Sequence, residues 1–468
     1  NRASFYNAFD TNRDGVITQA ELGAALTFTN TAGNPNGKIN YNRTFQSQDG
    51  PQDTASEGLS FYVQDTFSFG RLTINAGLRT ERWEHVATTG ENIFTFDWEL
   101  APRLSVVYDI KGDGRQKAFG YYGRYYDPIR NNLTNFAGTL TGAIRNEQVF
   151  ANGEWVTYRV RGGPVVQDAF FAPTTQTPYT DDIEVGYEVD LGHNMSAEVT
   201  YANRRTRDII EDYDLALYSI ATNGSTLYPG PINHPQSLFL PLSYFGYDRN
   251  PGSNFVIATL AGGKRDYQGI ELIVRKRFAN NWQGLASYTF NDVEGNTNSD
   301  SNADFQGDDI FLDPRGPNAY ARQPGSIRHL FKLGGSYAWP MGLELGGGLR
   351  ANSGTIASKT FLTFRRNLPI QVENGFEYAG FTEHWIAPDA IGSLTNPSWA
   401  QFDVRVKYSR RFQERWNTEF FVDIFNLFDN QDSIRDQDLV AGQGSLRFGD
   451  PIRYLEPRRF FLGARLSF

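Results

Sequence analysis

Residues 10–21 place oxygen-bearing groups at a spacing that suits a calcium ion. In a twelve-residue calcium loop the ligands come from positions 1, 3, 5, 7, 9 and 12, and a glycine at position 6 makes the sharp turn. Counting from Asp10, the glycine position holds Gly15. The six ligand positions hold Asp10, Asn12, Asp14, Val16 (through its backbone carbonyl), Thr18 and Glu21. The spacing therefore predicts a Ca²⁺ site closed by a bidentate glutamate.

The residues around this loop fit the flanks of an EF-hand. Ile17 occupies the apolar position 8, and Phe5, Phe9, Leu22 and Leu26 are spaced for two short amphipathic helices. The alternative is an ordinary surface turn rich in Asp, Asn and Gly. A single EF-hand lacks the usual paired partner, so we expect it to stabilise a loop rather than to sense a signal.

Composition argues against several other kinds of chemistry. The chain has no cysteine and five histidines, so neither a thiolate site nor a histidine-based catalytic or zinc site is expected. The net charge of −9 leaves no basic excess for a nucleic-acid partner. The sequence also lacks a nucleophile elbow, an HExxH motif and a P-loop, so we expect no enzymatic activity.

Hydropathy patterning indicates β-strands with one apolar and one wet face. Aromatic residues make up 15 % of the chain, although the mean hydropathy is −0.48. In "DIEVGYEVDL" (182–191) apolar side chains alternate strictly with acidic residues and glycine. In "RFFLGARLSF" (459–468) one face carries Phe460, Leu462, Ala464, Leu466 and Phe468, and the other carries Arg459, Gly463, Arg465 and Ser467. A fully charged strand face cannot lie in a dry core. No run of about 18 apolar residues is present, so we expect membrane crossing only by strands.

The connections between these segments alternate between short and long. Tight links such as 69–71 and 192–193 are followed by longer loops such as 85–98, 128–177 and 211–263. Short turns on one side and long loops on the other are typical of a transmembrane β-barrel, which leaves no backbone group unpaired in lipid. About thirteen strands are predicted, at 57–69, 71–84, 99–110, 117–127, 178–191, 194–210, 264–278, 281–293, 326–339, 341–353, 399–412, 415–428 and 458–468.

Several stretches resemble the barrel hairpins of TonB-dependent outer-membrane receptors. They are "FYVQDTFSFGRLTINAGLRTER" (61–82), "LAPRLSVVYDIKGDGRQKAFGYYGRYYD" (100–127), "TPYTDDIEVGYEVDLGHNMSAEVTYANRRTRDIIE" (177–211), "RDYQGIELIVRKRFANNWQGLASYTFND" (265–292) and "FFVDIFNLFDNQ" (420–431). The terminal Phe468 is similar to the aromatic C-terminus that outer-membrane assembly machinery recognises. The chain looks most like the Oar-like subgroup, and the resemblance covers nearly all of 57–468.

The resemblance implies an all-β fold, a 22-stranded antiparallel barrel filled by an N-terminal plug that contacts the TonB complex. Residues 57–468 are expected to form the C-terminal part of such a barrel. Residues 1–56, with the EF-hand-like helical insert, are expected to lie in an extracellular loop segment. We expect a separate chain or another segment of the receptor to supply the plug and about nine strands. The implied location is the bacterial outer membrane, with its lipid and lipopolysaccharide as partners.

Two of the long loops carry further candidate residues. Loop 211–263 contains Phe239, Leu240, Tyr244, Phe245 and Tyr247, which suit a ligand-binding surface, packing of loop against loop, or a partner protein equally well. The acidic stretch 300–313 is either a solvated loop or a second cation or cationic-ligand site. Its acidic residues are Asp300, Asp304, Asp308, Asp309 and Asp313.

Two functions remain open from sequence. One is energised uptake of a large or scarce ligand through the outer membrane. The other is surface binding or scaffolding, in which calcium-stabilised loops hold a partner protein or lipoprotein.

Overall fold

A continuous antiparallel sheet, whose long strands follow one another in chain order, dominates the computed structural model. The structure describes residues 12, 20, 42–48, 53–127, 131–138, 143–151, 154–161, 169–214, 219–220, 240–248, 255–297, 320–364, 382–386, 391–412, 416–440 and 445–468. Of the 14 strands in this sheet, Ala321–Arg322 is a short addition beside β8. The others are β1 (Ala55–Phe69), β2 (Leu72–Val86), β3 (Asn92–Asp109), β4 (Gln116–Tyr126), β5 (Tyr179–Gly192), β6 (Met195–Arg207), β7 (Arg265–Ala279), β8 (Trp282–Gly295), β9 (His329–Ala338), β10 (Leu343–Asn352), β11 (Trp399–Phe412), β12 (Trp416–Phe425) and β13 (Arg459–Ser467).

Smaller elements precede β1 or lie in the long connections between these strands. Helix α1 spans Asn131–Gly138, and a 3₁₀ turn spans Leu242–Phe245. Among the described residues no helix is long and apolar enough to cross a membrane. The additional strands are Asn42–Gln48, Ala143–Ala151, Glu154–Arg161, Ala169–Phe171, Ile210–Asp214, Ser219–Ile220, Leu240–Pro241, Phe255–Thr259, Ile356–Ala357, Thr360–Phe364, Thr382–Ile386, Leu394–Thr395, Ser433–Asp436 and Pro451–Tyr454.

The short links are tight turns whose residues tolerate positive φ. His193 and Asn194 join β5 to β6 with φ of 53° and 61°, and Asn280 and Asn281 join β7 to β8 with φ of 54° and 67°. Two successive residues with positive φ match the right-handed twist of a hairpin, and asparagine adopts this conformation more readily than most residues. These turns set the register of each hairpin.

The two edges of the sheet do not meet within the described part of the chain. β1 pairs with β2, and β13 pairs with β12, while no pairing joins β1 to β13. The all-β, antiparallel architecture predicted from sequence is confirmed, as an open sheet here rather than a closed barrel.

The predicted loop at 85–98 is mostly strand, which corrects the sequence prediction. β3 begins at Asn92, and the connection from β2 is a turn in which the Ala87 amide donates to the Glu91 carbonyl at 2.8 Å. The pairing of β2 with β3 shifts register between Glu81 and Trp83 and again after His85. Each shift is a β-bulge, which breaks simple alternation and hides the start of a strand from pattern analysis.

Candidate functional site

The two faces of the sheet differ sharply in chemistry. On β13, Phe460, Leu462 and Leu466 share one face and are 61 %, 73 % and 56 % exposed. Phe460 and Leu462 face Ile424 and Val422 on β12, whereas the opposite face pairs Glu419 with Arg465. Large apolar side chains exposed along whole strands indicate a face that contacts lipid or another apolar surface.

Opposite charges face each other across neighbouring strands on the polar face. In each case the two residues are direct partners in the sheet register, so the chain trace itself brings acid and base together. Arg204 is shared between two carboxylates, because it also donates to Glu184 at 2.8 Å. The pairs are Lys117–Glu188 at 2.6 Å, Arg204–Asp182 at 3.0 Å, Lys407–Glu344 at 2.7 Å and Arg405–Asp423 at 2.7 Å.

Aromatic rings on the polar face cover glycines of the adjacent strand. A Cβ placed on Gly186 would lie 2.2 Å from the Phe119 ring, and one placed on Gly463 would lie 2.2 Å from the Phe421 ring. Each ring lies over the bare backbone of its partner residue in register. This packing fills the space that a side chain would otherwise occupy and helps to fix the register.

A hydrophobic cluster joins two of the long loops to the ends of β2 and β3. We call it the loop cluster; its buried residues are Phe96, Leu133, Ala137, Ala169, Phe171, Ile210 and Ile257. Its backbone is a small sheet in which Phe255–Thr259 pairs in parallel with Ala169–Phe171 and antiparallel with Ile210–Asp214. Helix α1 contributes Leu133 and Ala137. The loop cluster therefore holds segments from both connections in one packed unit.

A buried histidine lies at the junction between the loop cluster and the sheet. His85, on β2, is fully buried, with its ring 5.7 Å from Phe96 and 5.9 Å from Phe171. Its Nδ1 is 2.8 Å from the hydroxyl of Thr134 on α1 and 3.1 Å from the hydroxyl of Ser56 on β1. One side chain thus connects two strands and the loop helix.

The aromatic residues singled out in loop 211–263 include side chains that pack loop against loop. Phe245 is completely buried, with its ring 5.1 Å from Tyr213 and 5.2 Å from Tyr244. The Tyr247 hydroxyl donates to the Phe171 carbonyl at 3.2 Å, and burial raises the pKa of Tyr247 to about 12. Of the three interpretations of these residues, the burial of Phe245 supports packing of loop against loop. Phe239, and the side chain of Leu240, lie outside the described residues.

The "FNLFDN" stretch after β12 forms a hydrogen-bonded junction. Asn426 is buried, and its amide nitrogen donates to the carbonyls of Asn430 and Glu456 at 2.7 and 2.9 Å. Its backbone amide donates to Asp403 on β11 at 2.8 Å. The carboxylate of Asp429 accepts the backbone amide of Arg458, and this hydrogen bond lowers the pKa of Asp429. The motif therefore ties the last long loop to the sheet.

The predicted calcium site falls almost wholly outside the described residues. Asn12 lies in an exposed bend, and Ala20 is helical. Asp10, Asp14, Val16, Thr18 and Glu21 are outside the described part of the chain, as is the acidic stretch 300–313. The Ca²⁺ site therefore stays a prediction.

The acidic stretch 109–114 forms a structural turn. Both carboxylate oxygens of Asp109 accept backbone amides at 2.8 Å, one from Gly112 and one from Gly114. Within the described ranges, no group of three or more histidine or acidic side chains is arranged to hold a metal.

The arrangement as a whole can guide or hold a polar ligand. It offers a charged wall on one face, a packed loop cluster at one end and an apolar exterior. Sequence reasoning foresaw the wall from alternation, but it missed the loop cluster and the individual ion pairs. Only the register reveals which charges meet.

Comparison with known proteins agrees with this architecture. The family model described as "Outer membrane beta barrel domain" matches residues 97–383. The chain is 21 % identical over 276 residues to the TonB-dependent transporter Oar of Myxococcus xanthus, a match that covers 52 % of this chain and 24 % of that protein.

Solved structures of transporters are similar to the chain at low identity. The FrpB iron transporter from Neisseria meningitidis (F5-1 variant, apoprotein form) is similar with a TM-score of 0.50 and 12 % identity, over 88 % of this chain and 46 % of that chain. The outer membrane transporter YddB from Escherichia coli has a TM-score of 0.49 and 12 % identity, over 88 % and 54 % of the two chains. The chain spans only a quarter to about half the length of these relatives.

Proposed function

Because this chain belongs to the outer membrane beta barrel domain family, we propose that it is part of the barrel of a TonB-dependent transporter that takes up a large or scarce ligand. The observation that carries the proposal is the unbroken antiparallel succession of strands with an exposed apolar face and an ion-paired polar face. The apolar face would contact lipid and lipopolysaccharide, and the polar face would line the lumen. No catalytic step is part of the proposal.

The proposal assigns distinct roles to the parts of the receptor. Residues 57–468 form the C-terminal part of a 22-stranded barrel, and the long loops, with residues 1–56, face outward. An N-terminal plug-bearing part, on this or another chain, fills the lumen and engages the TonB complex. Similarity to the TonB-dependent transporter Oar supports this division of labour.

We also propose that residues 10–21 bind Ca²⁺ and stabilise the outward-facing loop that contains them. The support is the complete set of oxygen ligands, in which Asp10 and Asp14 supply charge and Glu21 a bidentate carboxylate. Outside the cell, calcium is abundant enough to keep a site of about 10⁻⁴–10⁻³ M affinity loaded. Calorimetric titration of calcium into the wild-type protein and into Glu21→Gln measures the site directly. Equal heats of binding from the two proteins would contradict the proposed site.

Energy-dependent accumulation tests the transport proposal. Cells that carry or lack the receptor are given a panel of radiolabelled ligands, with and without a protonophore and in a strain without TonB. Transport predicts accumulation that requires the receptor, the proton gradient and TonB together. Surface binding that saturates without accumulation, and that survives the protonophore, would favour the alternative role of holding a partner protein or lipoprotein.

A further inference from the structure

Two cations face each other on the polar face without a carboxylate partner. Lys332 on β9 and Arg350 on β10 are direct partners in register. The residues next to them in the same row are Ser287 on β8 and Gln401 on β11, which are both uncharged. Among the described residues, no acidic group lies within ion-pair distance of either cation. Like charges directly opposite each other in a sheet destabilise it, so an uncompensated pair calls for an anion.

The contrast with other cations on this face makes the pair distinctive. Lys117, Arg204, Arg405 and Lys407 each contact a carboxylate on a neighbouring strand. Lys332 and Arg350 have no such partner among the described residues, and unlike Arg103, another cation of this face without an ion pair, they lie directly opposite each other. The Arg350 guanidinium instead lies 5.2 Å from the centre of the Trp399 ring, which orients it without neutralising it.

A buried, unsatisfied amide lies next to the two cations. Asn352 is two residues beyond Arg350 on the same face of β10 and is only 6 % exposed. Neither its amide nitrogen nor its amide oxygen has a hydrogen-bond partner within the described residues. A buried amide without partners costs free energy, which a bound polar group would recover.

The part of the sheet beside the two cations has no side chains on this face, because glycines occupy it. Gly334 and Gly348 are direct partners one step along the same face, and Gly346 follows on β10. A Cβ on any of the three would meet no atom closer than 3.7 Å. No aromatic ring covers these three glycines, whereas rings cover Gly186 and Gly463. The surface of the sheet is therefore open here to an approaching ligand.

We propose that Lys332, Arg350 and Asn352 form a binding site for a carboxylate group on the polar face of the sheet. The Arg350 guanidinium can donate hydrogen bonds to both carboxylate oxygens. Lys332 adds the second positive charge, and the Asn352 amide donates a further hydrogen bond. The site lies about 10 Å from the start of β9, since Lys332 is three residue steps beyond His329. The carboxylate belongs either to a free ligand or to an acidic side chain of polypeptide inside the lumen. The inference rests on the proposed lumen-facing role of this face.

Succinate serves as the probe for a free carboxylate ligand. Calorimetry on the full receptor, purified from outer membranes in detergent, should show saturable binding that weakens with added salt. Lys332→Gln and Arg350→Gln should each weaken it at least tenfold, because each removes a charge-assisted hydrogen bond to the carboxylate. The charge-retaining Lys332→Arg should bind within about threefold of wild type. The matched control is Lys407→Gln, which removes a lysine of the same face that already contacts Glu344. This control should bind succinate like wild type.

Carbodiimide coupling identifies a carboxylate supplied by polypeptide. The reagent joins a lysine to a carboxylate in contact with it, and peptide mass spectrometry of the native receptor then locates the junction. A cross-link from Lys332 to an Asp or Glu side chain supports the site with a polypeptide occupant. Succinate binding that Lys332→Gln and Arg350→Gln abolish supports it with a free ligand. Absence of both results would overturn the proposal. Neither readout depends on energised uptake, so failure of the transport proposal would be seen separately.

Discussion

Truncating Ile257 to alanine should loosen the loop cluster without unfolding the sheet. Ile257 is fully buried and lies in the central strand of the small three-stranded sheet, between Ala169–Phe171 and Ile210–Asp214. The substitution removes three carbon atoms, each worth about 0.8 kcal/mol of transfer free energy. With the cavity left behind, the expected cost is about 3 kcal/mol. Because about 1.4 kcal/mol is a factor of ten, the opening equilibrium of the cluster should shift by roughly 150-fold.

Hydrogen exchange at single amides measures this shift. The Ala172 amide donates to the Ile257 carbonyl at 2.9 Å, and the Leu260 amide donates to the Ile209 carbonyl at 2.7 Å. Both amides should lose about two orders of magnitude of protection in Ile257→Ala, since local opening controls their exchange. Amides in β9 and β10 should keep theirs.

A control substitution separates local packing from general destabilisation. Val440→Ala removes an apolar side chain that is 43 % exposed in another long loop, and it should change exchange at Ala172 and Leu260 less than about threefold. The reasoning is wrong if Ile257→Ala leaves both amides as protected as in wild type. It is also wrong if protection falls equally throughout the sheet, because the cluster would then not be a separate unit.

Three further outcomes follow from named contacts. Asp423→Asn weakens the ion pair with Arg405, whose side chain is 55 % exposed. The free energy of unfolding measured in urea should therefore fall by about 1–2 kcal/mol, and no change would mean that solvent already screens the pair. Gly463→Ala places a Cβ 2.2 Å from the Phe421 ring and should lower the thermal midpoint, which a second change, Phe421→Ala, should partly restore; a midpoint equal to wild type would contradict that packing. A chelator should accelerate proteolysis within residues 1–56, and equal cleavage with and without it would count against calcium stabilisation.

The strand pattern was largely predictable from sequence because each strand has one wet and one apolar face. All thirteen predicted strands correspond to strands of the large sheet, and β11 matches its predicted ends at 399 and 412. The matches to the outer membrane beta barrel domain and to the TonB-dependent transporter Oar confirm the resemblance and the outer-membrane location inferred from the hairpin motifs. Alternation is a local property of each strand, so it can be recognised in the sequence without knowing which strands lie beside it.

Bulges limit what alternation can show. Phe96 and Trp98 are two residues apart, and simple alternation assigns them to the same face. The extra residue of β3 between the partners of Glu81 and Trp83 sends them to opposite faces, so Phe96 is 2 % exposed and Trp98 is 45 % exposed. Phe96 therefore joins the loop cluster, which sequence analysis did not anticipate.

The loop cluster could not be predicted because its members share no period. Leu133, Phe171 and Ile257 come from a helix and two short strands that are far apart in the chain. Each of these elements is too short to show a pattern of its own, and each is buried only because the others cover it. Tertiary contact, rather than local preference, decides that these segments of the long connections are ordered.

Register also decides where charge is balanced and where it is not. Lys407 and Lys332 both alternate with apolar neighbours, yet Lys407 faces Glu344 and Lys332 faces Arg350. The pairing of β9 with β10 is fixed by a turn in which the Trp339 amide donates to the Leu343 carbonyl, with Gly342 at φ 93°. A slip of one residue would turn every side chain of β10 to the other face and expose its leucines to the polar side. The hydrophobic pattern thus locks the two cations opposite each other, and the sheet keeps an electrostatic cost that a bound carboxylate would remove.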